Sequence, residues 1–188
     1  MATEPTRRLF TIDDYHRMVD AGILTEDDRV ELLDGEIVQM TAIGSRHAAT
    51  VKRLRYLLGE RLGPRAVIGV QDPVILDDLS EPEPDLSICV PRDDFYADEH
   101  PRPTDILLLI EVADSSERFD RLRKVPRYAA VGLPEAWLID LDADTIVVYR
   151  VASPSGYMER TIHQGGETIS PLRFPDVEIR VDDVLGAP

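Results

Sequence analysis

Two carboxylates give the clearest chemical signal in this 188-residue chain. Asp85 opens an apolar run directly after Pro84, and Glu111 stands near the end of another, Leu107-Leu108-Leu109-Ile110-Glu111-Val112. If the two runs pair as antiparallel strands, the start of the first faces the end of the second. The midpoint of 85 and 111 is 98, inside the acidic, proline-containing connection at 91–105, so the register is self-consistent. Ionised carboxylates converging near a sheet core repel, and each costs several kcal/mol unless paired or bound to metal. A divalent cation removes both penalties, and hard oxygen ligands select Mg²⁺ or Mn²⁺ over zinc. Without a metal, the same residues are two wet acids at strand ends.

A second group follows. Asp120, Lys124 and Tyr128 are four residues apart, so on one helix they share a face, with Leu122, Val125 and Ala129 left to form its buried side. An acid–lysine pair at this spacing also occurs as a plain surface salt bridge worth ~0.3–0.5 kcal/mol. Arg46 and His47 stand at the start of another expected helix, where a helix N-terminus favours phosphate. Trp137 lies in an apolar run and reads as core.

The elements that must position these residues follow from local signals. Thr11-Ile12-Asp13-Asp14 has the capping-box form and Gly22 can stop a helix over 12–20. Asp34-Gly35 between Arg29–Leu33 and Glu36–Met40 is a hairpin signal. Ser45 can cap a helix over about 46–62, whose Ala48, Val51, Leu54, Leu58 and Leu62 keep three- and four-residue spacing. Strands are expected at Ala66–Val70, Val74–Leu76, Leu86–Val90 and Ile106–Val112, apolar on both faces as in a covered sheet. A helix is expected at about 118–131, then strands at Ala136–Ile139 and Thr145–Val151. Tyr157–Ile162 should be an edge strand in a tail (151–188) otherwise made of loops. Pro126 is the awkward residue, because an interior proline costs about 3 kcal/mol and kinks a helix. Either the helix runs through with a kink, which we prefer, or it starts near Val125 and leaves Lys124 in a loop.

Together these elements predict a single mixed α/β (α+β) domain over residues 1–188, a central sheet flanked by two principal helices. The 43% apolar content is too high for disorder, and no apolar run approaches the roughly 20 residues a membrane span needs. The N-terminus lacks an apolar signal segment and Cys89 is the single cysteine, so a cytoplasmic protein without a disulfide or a cysteine-based zinc cluster is expected. The formal charge of −15 repels nucleic acid at long range, so any polyanion must approach through local basic patches. Two exist: Arg46, Lys52, Arg53, Arg55, Arg61 and Arg65, and Arg118, Arg121, Arg123, Lys124 and Arg127. Between them, residues 72–120 are crowded with acids against only Arg92, Arg102 and Arg118.

Glu31-Leu-Leu-Asp-Gly-Glu-Ile, Pro84-Asp85-Leu, Ile110-Glu111-Val112, Asp120…Lys124…Tyr128 and Gly132-Leu-Pro-Glu-Ala-Trp-Leu-Ile-Asp140 occur in that order. From about residue 10 to 150 the chain thus resembles the Uma-two family of restriction-endonuclease-like proteins, in the PD-(D/E)XK nuclease superfamily. The resemblance implies a restriction-endonuclease-like fold: a mixed four- or five-stranded sheet flanked by helices, here with an N-terminal hairpin and extra C-terminal strands. It also implies roles. Asp85 and Glu111 would bind the metal, with Glu31 completing its shell. The superfamily lysine, normally two residues after the second acid, would be Lys124 on the following helix, because Ala113 occupies the usual place. Apart from the resemblance, Arg46 and His47 at their helix start are candidates to bind a backbone phosphate, Tyr128 to contact substrate or only to pack or hydrogen-bond the site, and Asp120 to support it.

The function implied is Mg²⁺- or Mn²⁺-dependent hydrolysis of DNA phosphodiester bonds, with Lys124 orienting water or offsetting charge on phosphate. Nucleases of this fold often dimerise, and the C-terminal edge strands permit a homodimer. Two other readings compete: a catalytically silent interaction module of the same fold, and an acidic DNA mimic.

Overall fold

Local stops and caps set where the helices and strands begin. The computed structural model describes residues 7–114 and 117–186. Thr11 caps helix α1 (Ile12–Asp20) through a full capping box: its hydroxyl accepts the Asp14 N–H at 3.1 Å, and Asp14 accepts the Thr11 N–H at 3.3 Å. Strands β1 (Val30–Leu33) and β2 (Glu36–Gln39) form a hairpin over Asp34-Gly35, with φ of 52° and 74°. Those positive angles are what a two-residue turn of type I′ requires. Helix α2 (Ser45–Leu62) buries Val51, Leu54, Leu58 and Leu62. Gly44, not the expected Ser45, is its cap residue, because Gly44 is extended and Ser45 already helical.

Strands β3 (Val67–Gly69), β4 (Leu86–Cys89), β5 (Ile106–Ala113), β6 (Glu135–Asp140), β7 (Thr145–Ser153) and β8 (Gly156–His163) form one sheet in that order. β5 and β6 are parallel, and the other neighbouring pairs are antiparallel. The sheet is therefore mixed, as expected, but has six strands rather than four or five. β8 is its edge, as its sequence implies.

Alternation along the strands separates two cores. Leu108, Ile110 and Val112 of β5 face α2, with Trp137, Ile139 and the tail residues Ile179, Val181 and Val184. Leu109 and Ala113 face the opposite side, against Val125, Tyr128 and Ala129. Glu111 falls between Ile110 and Val112 in the strand and so points to this second side, the only polar residue in the central part of β5.

The connection from β5 to β6 resolves the proline question. It runs through α3 (Glu117–Phe119), a π-turn (Asp120–Lys124) and α4 (Val125–Ala130) without a break. The Val125 N–H bonds the Asp120 carbonyl five residues back. This wider turn moves carbonyls away from the Pro126 ring, which clashes in a regular α-turn. Lys124 stays helical and buried, whereas Leu122, expected on the buried side, is half exposed.

Two further expectations are corrected. Val74–Leu76 is extended but outside any strand: Pro73, Pro82 and Pro84 surround it, and without N–H groups they cannot sustain a ladder. Val74 and Leu76 instead donate singly to the carbonyls of Pro82 and Ser80. The tail holds more than loops, with β9 (Thr168–Ile169) paired to β10 (Ile179–Arg180) and a short α5 (Val181–Leu185) packed on α2.

Candidate active site

The β4–β5 register carries the first acid to the second. Leu86 pairs with Ile110 and Ser87 with Leu109, so continuing the ladder by one residue sets Asp85 opposite Glu111. The Asp85 carboxylate is held by three donors. Oδ2 accepts the Val112 N–H at 2.8 Å and meets His47 Nε2 at 3.0 Å, and Oδ1 accepts from Gln71 Nε2 at 3.1 Å. A main-chain donor and two side chains thus fix its orientation before any ligand arrives.

Glu111 is buried, with Tyr128 O–H donating to Oε1 and Lys124 Nζ 3.4 Å from the same oxygen. Lys124 also lies 3.1 Å from Glu31 Oε2, which accepts the Glu83 N–H at 3.0 Å. Burial raises the pKa of Glu111 well above the usual carboxylate range; Lys124 opposes this, and the nearby charges of Asp120 and Asp85 add to it. Burial works against the Lys124 ammonium, but Glu111, Glu31 and Asp120 outweigh it and hold its pKa above that of ordinary lysine. Burial and the adjacent Glu111 likewise raise Tyr128, so its hydroxyl stays a donor.

These residues surround a cavity of about 260 Å³, lined by Glu31, His47, Gln71, Asp85, Asp120 and Lys124 among others. Val38, Ile43, Phe119 and the exposed Arg29 also line it. Glu111 is buried away from the cavity wall and joins it through Lys124. His47 opens α2 toward Asp85, and its pKa is raised chiefly by that hydrogen bond, while its Nδ1 is buried without a partner.

The structure brings Asp85, Glu111, Lys124, Glu31, Asp120, Tyr128 and His47 into one neighbourhood. It does not bring Arg46, whose guanidinium turns away to Asp144 and the Leu141 carbonyl. Gln71 and Glu83 join the site without having been singled out in the sequence. Gln71 adopts a left-handed φ of 55° and its N–H bonds the Asp85 carbonyl at 3.2 Å. The one sequence hint is the Gln71-Asp72-Pro73 turn, too common a pattern to mark a site. Trp137 is core, its indole N–H 2.9 Å from the buried Glu135.

The donor set is suited to a hard dication. Asp85, Asp120, Glu111 and Glu31 are all at least nine-tenths buried, and Lys124 is the one buried ammonium among them. Their carboxylate oxygens are the kind of donor that a divalent cation such as Mg²⁺ takes, and such an ion would offset their charge. Among the described residues no three His, Cys, Asp or Glu side chains are gathered to enclose a metal unaided. Mg²⁺ ordinarily takes one or two carboxylates and fills its shell with water and substrate phosphate, so such a cage is not required.

A family model described as "Putative restriction endonuclease" matches residues 12–182. The chain belongs to the Uma2 family. That span is longer than the 10–150 carrying the sequence resemblance, and takes in the tail elements β9, β10 and the start of α5. A crystal structure from Anabaena variabilis ATCC 29413, described as "a putative nuclease belonging to DUF820", is similar in fold with a TM-score of 0.74. The alignment covers 94% of this chain and 97% of that one at 16% identity. No curated protein matches the sequence. Among the described residues, no Uma2 helix here is long and apolar enough to cross a membrane.

Proposed function

We propose that this Uma2 chain is a metal-dependent endonuclease that hydrolyses phosphodiester bonds of DNA. The observation that carries the proposal is the meeting of Asp85 and Glu111 at one end of the β4–β5 pair, with Lys124 held against the second acid. Asp85 and Glu111 would hold Mg²⁺ or Mn²⁺. When bound, the ion supplies an acidified water and neutralises charge on the phosphate.

The chain's own groups do the rest. His47, Gln71 and the Val112 N–H aim the Asp85 carboxylate. Tyr128 holds Glu111 from behind. Lys124 keeps its proton, so it serves as a fixed positive charge for the developing phosphorane and not as a general base. Glu31 positions that ammonium and accepts the Glu83 N–H, a role in addition to any in a metal shell.

Incubating purified chain with Mn²⁺ and both single-stranded circular DNA and plasmid tests the reading. Wild type should cut at least one of the two and EDTA should stop it. Asp85→Asn should cut the rate at least a hundredfold with an unchanged circular dichroism spectrum. The silent-module reading draws on the −15 charge and on Ala113 standing where the superfamily lysine is usual. It is favoured if neither protein cuts and Asp85→Asn melts higher, because removing a carboxylate then only relieves repulsion.

A further inference from the structure

Resting on the nuclease reading above, we infer that the site takes a flexible single strand, or the unpaired end of a duplex, and not intact double-stranded DNA. Three observations lead there.

First, the basic patches are spent internally. In and just after α2, Arg46 is bound to Asp144, Arg53 to the Leu185 carbonyl, Arg61 to the Glu178 carbonyl and Asp183, and Arg65 to Asp176. On the other patch, Arg123 pairs with Asp34 and Glu36, Arg127 with Asp34 and Asp77, and Lys124 with Glu31 and Glu111. Tight duplex binding relies on many Lys and Arg side chains displacing counterions from a backbone carrying one charge per about 1.7 Å. Here most of the candidate cations already hold protein acceptors, on a chain of net charge −15. A single strand has half that axial charge density, so its approach is opposed less.

Second, the reactive carboxylates are recessed. Asp85, 8% exposed, lines a cavity of about 260 Å³, and Glu111, 3% exposed, lies behind its lining. A phosphate fixed on the outer surface of a stiff duplex cannot enter without local melting, whereas a single strand bends its backbone inward.

Third, the cavity lining is mixed. Acids and Lys124 share it with Val38, Ile43 and Phe119, and with Arg29. A phosphate seated beside Asp85 leaves its own sugar and base to meet such apolar side chains, the pairing of charge and stacking surface that serves single strands.

The test uses wild-type chain with Mn²⁺ and three labelled oligonucleotides of one sequence: single strand, blunt duplex, and duplex with an unpaired 5′ tail. The single strand and the tail should be cut at least tenfold faster than the blunt duplex, with breaks in the tailed substrate confined to the unpaired part. Equal or faster cutting of the blunt duplex overturns the inference while leaving the nuclease reading intact. If none is cut, that reading fails, and fluorescence anisotropy in Ca²⁺ decides strand preference alone. Tighter single-strand binding, with a slope of log K against log salt no steeper than about −1.5, supports the inference. Equal or tighter duplex binding, or no binding to either, overturns it.

Discussion

With its ammonium 3.1 Å from Glu31 and 3.4 Å from Glu111, Lys124 compensates two carboxylates that scarcely touch water. Breaking a buried pair from one side costs about 3–5 kcal/mol, because the remaining charge is left without a partner. Lys124→Ala should therefore lower the urea unfolding free energy by about that much and abolish cleavage. Adding Glu31→Gln should recover part of the stability and none of the activity; a strictly additive double variant would show that the two side chains are not coupled. Tyr128→Phe removes a donor to a buried carboxylate and should cost about 1–3 kcal/mol, measured the same way. At this scale the sequence was informative where a charge interrupts an apolar run: Asp85 and Glu111 are conspicuous for that reason, and Lys124 by its spacing from Asp120. Gln71 was not legible. It reaches Asp85 from an irregular segment, through a left-handed backbone that no periodicity encodes.

Among the elements, the β1–β2 hairpin brings Glu31 to Lys124, so its turn is a structural requirement of the site. Gly35 has φ of 74°, and a Cβ there would approach Leu9 Cβ to 2.6 Å. Gly35→Ala should destabilise the protein by about 1–3 kcal/mol in a denaturant titration; an unchanged midpoint would mean the turn yields at no cost. The capping box of α1 gives a pH prediction. The Thr11 N–H, followed by its hydroxyl, holds the Asp14 pKa below the usual carboxylate value. Because the folded value is depressed, the cap's contribution is complete above the unfolded value near 3.8 and disappears as pH falls through the folded one. Amide exchange in α1 should accelerate across that acid range, and Asp14→Asn should remove the transition. Most elements were legible because caps, turns and apolar spacing agree. The π-turn was not, since it arises from the bulk of Pro126 and the burial of Asp120 and Lys124, which only the assembled sheet reveals. The ordering of the tail was hidden for a similar reason: β9, β10 and α5 are too short to be stable alone and form by packing on α2.

The whole molecule carries −15, and its tail contributes Asp176 and Asp183, which partner Arg65 and Arg61. The double variant Asp176→Asn, Asp183→Asn should release cations of the α2 patch. Duplex affinity should then rise several-fold at low salt and the salt slope steepen by up to about 2, one counterion per freed side chain. An unchanged slope would mean that the tail does not mask the patch. Net charge is legible in composition, but the internal use of the basic residues needs the fold, because their partners lie far away in sequence. The central claim is that Asp85 and Glu111 hold a metal together, and calorimetric titration of Mn²⁺ and Mg²⁺ addresses it most directly. Wild type should bind one ion saturably, and the Asp85→Ala, Glu111→Ala variant, folded by circular dichroism, should not. Equal binding by both proteins, or none by wild type at millimolar metal with a phosphodiester present, contradicts it.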